Sequence, residues 1–346
     1  MKEILCREIT RRNPFAIEEL PWIARMYRYP FDRWTSIGRQ GLYGAPNLLL
    51  FYLYQNFFPA RFLGTFAYLI EGQRRRVRFN TKSTHFRAIY SKMFSMGYEP
   101  HVSALVDLIM PDNGVFYDVG SNWGWFSLKL AARPGFKGLI HAFEPCPPTY
   151  KDLTSVVEQA GIADRVRCHA VALMDRVGSA SICLPDHIHR ECAVVADEGK
   201  KGGLAIQTTT LDSFAGEPPA VMKVDVEGAE LQVFQGGQEL LKKHKPMILF
   251  ENCRNKTDVL QTLLPIHCLE KIGYRFYQVA WLRMLGQAVC LIGDGCDSDP
   301  CPVETLALVP FQSSDRLLLY DNMNIFACHA DKTDALAGCF GNKRVV

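Results

Sequence analysis

The sequence predicts an α/β fold built on a mostly parallel, Rossmann-like sheet with helices on both faces. One reason is that short apolar runs of β type alternate with helix-compatible stretches from Val115 onward. A second reason is the glycine turn at Gly120 and Gly124, where the first run passes into an apolar, helix-compatible stretch. Regular βα alternation of this kind makes the strands parallel and packs helices against both faces of the sheet.

The individual elements follow from runs of apolar residues that are bounded by turn residues. The predicted strands are 115–119, 138–143, 166–173, 221–226, 247–251, 275–279 and 324–328. The predicted helices are 123–132, 149–160, 229–243 and 257–272. The last two strands are expected to close the sheet as an antiparallel pair.

The first hundred residues lack this alternation. They mix aromatic and arginine side chains and contain the helix-compatible runs 17–27, 48–58 and 62–73. We therefore expect two parts, a mostly helical N-terminal extension at residues 1–97 and an α/β domain at residues 98–346.

The composition indicates more about the cellular environment of the protein than about its function. A formal net charge of +3 over 346 residues gives no argument for a nucleic-acid partner. The twelve cysteines form no CxxC pair, so neither a structural zinc framework nor a compact disulfide scaffold is predicted. We expect a reduced, cytoplasmic setting.

One apolar segment bears on membrane contact. Leu48–Tyr54 is continuously apolar, but Pro46 and Pro59 flank it and shorten any helix below the ~20 residues that a spanning helix needs. A buried helix, an interfacial or partner-binding helix and a spanning helix all remain open. The buried helix is the preferred interpretation. The basic cluster Arg74–Arg78 adds some support to the interfacial alternative, which would make the protein membrane-associated, but a solvated surface is the preferred explanation of that cluster.

The glycine turn departs from the dinucleotide-binding pattern. That pattern is G-x-G-x-x-G, and its second glycine lets the backbone approach a pyrophosphate. Here Asn122 stands at the second glycine position, and Gly124 comes one residue early. A cofactor without phosphate whose amino-acid portion bonds to this turn fits better, and S-adenosyl-L-methionine is such a ligand.

Two acidic residues flank the turn. Asp118 precedes it and could face the ammonium group of the cofactor. Glu144 ends the next strand, twenty residues beyond Gly124, where a carboxylate suits a bidentate contact with a ribose diol. The alternative is a strand–turn–helix whose glycines serve only the turn.

Further carboxylates follow the fourth and fifth strands of the α/β region. Asp225 and Glu227 end the fourth strand, Glu251 ends the fifth, and ligands in open α/β sheets bind outside such strand ends. Helix capping is the alternative for Asp225 and Glu227, and it is the preferred interpretation of Glu230 in the first helical turn. These residues could also hold Mg²⁺, but the sequence fixes no ligand set and we predict no metal.

Other residues whose side chains could take part in catalysis or metal binding are predicted to have structural roles. The loop with His187, His189 and Cys192 is expected to be a solvated lid, although either histidine could act as a base. His141 is expected to be a hydrogen-bonded core residue. Trp123 and Trp125 are expected to be buried.

The stretch from Tyr98 to His329 resembles the FkbM family of S-adenosylmethionine-dependent methyltransferases. The motifs that carry the resemblance are GYEP, DVGSNWGWFSL, FEPCPPTY, TLDSF, KVDVEGAE and ILFEN, in that order. The resemblance implies a seven-stranded methyltransferase sheet and, for many members, O-methylation of sugar or polyketide hydroxyls. Ser121 departs from the alanine that is usual in the family.

Carried over to this chain, the family pattern gives a set of site residues. The cofactor would contact Asp118, Gly120, Asn122, Gly124 and Glu144. Ser121, in the same turn, is predicted to contact it as well. Asp225 and Glu227 would lie beside the transferred methyl group, with Glu251 as a further contributor to catalysis.

The leading hypothesis is therefore a methyltransferase that acts on a hydroxyl of a glycan, a glycolipid or a secondary metabolite. The acceptor would be a sugar or metabolite, free or lipid-linked. Two alternatives stay open: an NAD-type oxidoreductase, and a methyltransferase-like binding protein without activity.

Overall fold

The structure is a computed structural model. It describes residues 4–20, 63–81, 83–90, 97–183, 193–195, 204–255, 257–285, 288–292, 303–341 and 344–345. The predicted helix 48–58 and the loop residues His187, His189 and Cys192 lie outside these ranges.

The strands are numbered here in chain order. They are β1 Ile4–Thr10, β2 Phe15–Glu19, β3 Leu63–Ile70, β4 Gln73–Asn80, β5 Val115–Val119, β6 Leu139–Phe143, β7 Val166–His169, β8 Ala172–Leu173, β9 Gly178–Cys183, β10 Ala193–Val195, β11 Leu204–Thr209, β12 Val221–Val224, β13 Met247–Cys253, β14 Tyr274–Leu285, β15 Ala288–Ile292, β16 Val303–Phe311, β17 Asn322–His329 and β18 Arg344–Val345.

The α-helices are shorter and are numbered in the same way. They are α1 Arg87–Tyr90, α2 Pro100–Ile109, α3 Trp125–Ala131, α4 Pro147–Ala160, α5 Glu230–Gln235, α6 Gln238–His244, α7 Leu264–Glu270 and α8 Thr333–Cys339. Single 3-10 turns occur at Thr84–Phe86, Leu211–Phe214, Val259–Leu263, Ser313–Leu318 and Ala330–Lys332.

The main sheet is large and mixed. Its strand order is β18-β1-β16-β14-β17-β13-β12-β5-β6-β7, and β15 pairs with β14. The five strands β13, β12, β5, β6 and β7 run parallel. β17 is antiparallel to β13, and β14 is antiparallel to β17, so β14 runs in the direction of the five parallel strands. The βα alternation and the antiparallel closing pair that the sequence predicts are therefore confirmed.

The count of seven strands is wrong, because the described sheet has eleven. The seven predicted strands lie side by side, from β14 to β7. The additional strands extend the sheet beyond β14, where β16 pairs with β14 and β1 pairs with β16. Because a twelve-residue strand such as β14 exposes a long row of backbone donors and acceptors, these added strands cover an otherwise open edge.

The prediction of a mostly helical N-terminal extension is also wrong for the part of residues 1–97 that the structure describes, which is mainly β. β1 joins the main sheet, while β2, β3 and β4 form a separate antiparallel sheet. The run 62–73 becomes a strand and a turn, since Glu71 (φ 50°) and Gly72 (φ 74°) both adopt positive φ. Two such residues form the turn that matches the twist of a two-stranded hairpin.

The basic cluster Arg74–Arg78 lies on β4 of this hairpin. Its arginines are exposed, whereas Val77 between Arg76 and Arg78 is buried. Two of the arginines pair with acidic side chains of β2: Arg74 with Glu18 and Arg76 with Glu19, each at 2.6 Å. Within the described residues, no helix is long and apolar enough to cross a membrane.

An aromatic cluster holds the three-stranded sheet against the glycine turn. Phe15 and Phe66 lie 6.0 and 6.3 Å, centroid to centroid, from Trp123, and Phe86 lies 4.9 Å from it. Trp125 packs 4.8 Å from Phe15. Both tryptophans are buried, as expected, and their burial joins the N-terminal strands to the start of α3.

Candidate functional site

The turn after β5 is a tight loop whose backbone needs glycine. Gly120 (φ 78°), Asn122 (φ 51°) and Gly124 (φ 95°) all adopt positive φ. The N–H groups of Gly120 and Ser121 both donate to the Phe143 carbonyl at 3.0 Å, which joins the turn to the end of β6. The turn therefore sits between two parallel strand ends, as the sequence predicts.

Gly120 also brings this turn into backbone contact with β12. A Cβ atom built on Gly120 would lie 1.8 Å from the Asp225 carbonyl oxygen, so no side chain fits there. The Asp225 N–H donates to the Val119 carbonyl at 2.9 Å. The candidate cofactor turn and the candidate catalytic carboxylate are thus fixed to each other through main-chain contacts.

Asp118 is buried below the turn and organises the start of α3. Its Oδ2 accepts hydrogen bonds from the Ser127 hydroxyl at 2.6 Å and the Ser127 N–H at 3.1 Å. Burial raises the pKa of Asp118 to about 6, although the Ser127 bonds oppose that rise. One oxygen is therefore committed to structure, and a cofactor contact would have to use Oδ1.

Glu144 lies at the end of β6 beside the turn. Its Oε2 accepts from the Asn122 N–H at 3.0 Å, and its Oε1 accepts from the Cys146 N–H at 2.8 Å. Burial raises the pKa of Glu144 to about 7. Each carboxylate oxygen keeps a second lone pair, so this fixed carboxylate retains acceptors for a pair of hydroxyls.

The Asn122 side chain is bound within the protein. Its Nδ2 lies 2.9 Å from His85 Nδ1, and its Oδ1 accepts from the Trp123 N–H at 2.8 Å. His85 also accepts from Trp123 Nε1 through its carbonyl oxygen at 3.2 Å. Sequence reasoning missed His85, because its contact to the turn depends on how the N-terminal strands pack.

The residues present fit a cofactor that lies on the turn. Ser121 is buried, and its Oγ has no hydrogen-bond partner within the described part of the chain. An orphaned hydroxyl at this position, beside a glycine turn and the Glu144 carboxylate, is suited to a ligand with polar groups.

Asp225, at the end of β12, is paired with a buried lysine. Lys223 Nζ lies 2.6 Å from Asp225 Oδ2 and 3.4 Å from Glu99 Oε2. The ammonium also lies 4.7 Å from the Phe126 ring centroid. Burial alone would raise the pKa of Asp225, but the Lys223 ammonium and a hydrogen bond from Glu251 hold it below its usual value.

Glu251 faces Asp225 from β13. Burial, and then the Asp225 charge, raises the pKa of Glu251 to about 8. Its Oε1 accepts from Asn322 Nδ2 at 2.7 Å. At neutral pH the pair therefore consists of an ionised Asp225 and a protonated Glu251 that donates to it.

Glu227 completes a three-carboxylate group at this edge of the sheet. One carboxylate oxygen each of Asp225, Glu227 and Glu251 lies within 4.8 Å of the others, a spacing that a hard cation could bridge. Glu230 instead accepts from the N–H groups of Gly228 at 3.1 Å and Val226 at 3.4 Å, in agreement with its interpretation as a structural carboxylate.

One further residue at this edge, Asn324, carries no sequence signal of its own. Asn324 Nδ2 on β17 donates to Glu99 Oε1 at 3.1 Å and so positions the acid that faces Lys223. His141, by contrast, is a core residue as expected, with its Nδ1 3.0 Å from His169 Nε2.

Comparison with known proteins is consistent with this geometry. Residues 115–276 match the family model described as the methyltransferase FkbM domain. This match covers just under half of the chain, and over those residues it confirms the resemblance predicted from the motifs. The fold is a methyltransferase-like α/β fold with a large mixed sheet.

Solved structures with a similar chain include three methyltransferases. The FkbM methyltransferase from Methylobacillus flagellatus KT is 18% identical, with 58% of this chain and 44% of that chain covered, at a TM-score of 0.36. Precorrin-6y C5,15-methyltransferase from Geobacter metallireducens GS-15 is 14% identical, with 68% of this chain and 88% of that chain covered, at a TM-score of 0.36. The SAM-dependent O-methyltransferase from Thermotoga maritima is 11% identical, with 71% of this chain and 78% of that chain covered, at a TM-score of 0.32.

This chain thus spans less than half the length of the first of these proteins. A search of curated proteins finds no match.

Proposed function

We propose that the protein transfers a methyl group from S-adenosyl-L-methionine to a hydroxyl oxygen of a glycan, a glycolipid or a secondary metabolite. The observation that carries this proposal is the ionised Asp225, paired with Lys223 at 2.6 Å and joined by backbone contact to the glycine turn at Gly120. A carboxylate that can accept a proton therefore lies beside the turn that would hold the methyl donor.

On the donor side, the chain offers a turn and two carboxylates. Gly120, Ser121, Asn122 and Gly124 would contact the amino-acid portion through backbone and hydroxyl groups. Asp118 Oδ1 would face the ammonium group, and Glu144 would accept from the ribose hydroxyls. When bound, S-adenosylmethionine supplies an electrophilic methyl group on its sulfonium sulfur.

On the acceptor side, Asp225 would orient the hydroxyl and take its proton. The hydroxyl becomes strongly acidic as its oxygen gains the methyl group, so a weakly basic carboxylate suffices. Lys223 is then a positioning residue, which keeps Asp225 ionised and in place. Protonated Glu251 donates to Asp225, and Glu227 belongs to the same group of carboxylates.

The test is methyl transfer from S-adenosylmethionine that carries a labelled methyl group, with extracted glycans and glycolipids as acceptors. The proposal expects label in these fractions in a form that resists mild alkali, since methyl ethers resist it and methyl esters do not. Label that alkali removes, or label confined to protein or nucleic acid, would overturn the hydroxyl acceptor.

The Asp225→Asn variant serves as the matched control. It is expected to bind S-adenosylhomocysteine like the wild type and to leave the acceptor fractions unlabelled. Cofactor binding by the wild type without transfer to any hydroxyl acceptor would instead favour a binding protein that has no activity.

A further inference from the structure

A histidine from the N-terminal part of the chain lies against the glycine turn. His85 belongs to the 3-10 turn Thr84–Phe86, 37 positions before Asn122 in the sequence. Its ring Nδ1 is 2.9 Å from Asn122 Nδ2, and its carbonyl oxygen accepts from Trp123 Nε1 at 3.2 Å. One residue therefore contacts two consecutive residues of the glycine turn, once through its side chain and once through its backbone.

A neighbouring contact fixes the direction of the side-chain hydrogen bond. Asn122 Oδ1 accepts from the Trp123 N–H at 2.8 Å, so the amide nitrogen is the atom that faces His85. An amide nitrogen can only donate, and His85 Nδ1 must therefore accept with its lone pair. The imidazole ring thus presents an unprotonated Nδ1 to the turn.

The residue that donates this bond has an uncommon backbone conformation. Asn122 has a φ of 51°, in the left-handed region, which asparagine tolerates better than most residues but still at an energetic cost. The Asn122 N–H donates to Glu144 Oε2 at 3.0 Å. A series of contacts therefore runs from His85 through Asn122 to the carboxylate that would accept from the ribose hydroxyls.

Other contacts keep the loop around His85 in place. Phe86 lies 4.9 Å from Trp123 and 5.1 Å from Phe79 of β4, measured between ring centroids. Burial raises the pKa of Asp152 on α4 to about 6, and a hydrogen bond with the Ser83 side chain opposes that rise. Because these contacts do not involve the His85 side chain, its replacement should leave the loop where it is.

We propose that His85 is a positioning residue for the methyl donor. It fixes the Asn122 amide, and through Asn122 it sets the geometry of the turn and of Glu144 where the cofactor would bind. This inference rests on the donor side of the proposed function. It extends the cofactor site beyond residues 115–276, the range of the family match, to a loop of the N-terminal part.

The test is calorimetric titration of the full chain with S-adenosylhomocysteine. His85→Leu keeps the side-chain volume but removes the acceptor, so Asn122 Nδ2 loses its partner. The affinity should fall by about tenfold, which corresponds to one hydrogen bond lost from a donor that stays in the protein. His267→Leu alters a histidine on α7 that is half-buried like His85, and it should leave the affinity unchanged.

A conservative variant distinguishes the hydrogen bond from a merely structural role. His85→Asn is smaller than the wild type but offers a carbonyl oxygen near the position of Nδ1. It should bind S-adenosylhomocysteine within about threefold of the wild type. If the ring served only to fill space, the order would be reversed, since leucine fills that space better than asparagine.

Unfolding in denaturant establishes that each variant is folded before it is titrated. The proposal is overturned if folded His85→Leu binds S-adenosylhomocysteine as the wild type does, or if folded His85→Asn binds it tenfold more weakly than the wild type. The second criterion applies even if His85→Leu does not fold. A wild type that does not bind S-adenosylhomocysteine contradicts the proposed function and this inference together, whereas wild-type binding with unchanged variants contradicts the role of His85 alone.

Discussion

Lys223 Nζ and Asp225 Oδ2 form a 2.6 Å ion pair at the carboxyl end of a buried parallel strand. Lys223 is almost fully buried, with 2% of its side chain exposed, and it also contacts Glu99. The pair fixes a negative charge where the glycine turn meets the strand end. Several properties of the protein should depend on this one contact.

Replacing Asp225 by Asn should remove the proposed base without removing side-chain volume. We expect kcat to fall by about 10²- to 10⁴-fold, the usual contribution of a positioned general base, while affinity for S-adenosylhomocysteine is unchanged. Glu227→Gln is the companion variant, and its loss should be smaller because the Lys223 ammonium pairs with Asp225. Wild-type turnover in both variants would remove the carboxylates from the mechanism.

Replacing Lys223 by Met should destabilise the fold. Two carboxylates, Asp225 and Glu99, would lose their shared cation, and breaking a buried pair from one side costs about 3–5 kcal/mol. The free energy of unfolding in denaturant measures this loss. In the double variant with Asp225→Asn, part of the loss should return, since the two residues are in direct contact. Strictly additive losses would contradict a coupled pair.

The protonated Glu251 predicts a pH dependence of stability. Its pKa is about 8 in the folded protein and 4.5 in the unfolded chain, so the folded state binds more protons across this window. The free energy of unfolding should therefore fall as pH rises from about 4.5 to about 8.

Glu251→Gln imitates the protonated carboxyl and should reduce that slope, while the buried Asp118 and Glu144, whose pKa values are also raised, continue to contribute to it. Its oxygen can still accept from Asn322 and its amide can donate to Asp225. Glu239→Gln, at a carboxylate with 85% of its side chain exposed, is the control and should leave the slope as it is. A wild-type slope in Glu251→Gln would show that Glu251 is not the group that titrates.

Alanine substitution at two glycines with positive φ distinguishes the energetic cost of backbone strain from the cost of a steric clash. Gly228→Ala meets no atom within 4 Å and should cost only the left-handed strain of about 1–2 kcal/mol. Gly120→Ala adds a 1.8 Å contact with the Asp225 carbonyl oxygen, so its loss of unfolding free energy should clearly exceed that of Gly228→Ala. Equal losses in the two variants would mean that the turn is not pressed against β12.

The features that can be predicted from the sequence are those that depend on residues close together in the chain. The strand, the turn and the following helix around Gly120 are local, and so is the spacing that puts Glu144 at the next strand end. The structure places both at one edge of the sheet, together with Asp225 and Glu251. Whether these residues bind a cofactor and an acceptor stays a prediction.

Contacts between residues that are far apart in the sequence cannot be predicted from local patterns. Asn324 meets Glu99 across 225 positions, and nothing in a single sequence sets that register. Lys223 did leave a signal, because a charged residue inside the buried run VMKV needs a partner, but the pairing was not inferred. The apolar run Leu63–Ile70 was misread as helix, since a short run without clear alternation does not separate strand from helix.

The most direct test of the account is calorimetric titration of the full chain with S-adenosylhomocysteine and, separately, with NAD. The account predicts saturable binding of S-adenosylhomocysteine with one site per chain, and no binding of NAD, since Asn122 occupies the position where a pyrophosphate needs glycine. Binding of NAD without binding of S-adenosylhomocysteine would contradict it.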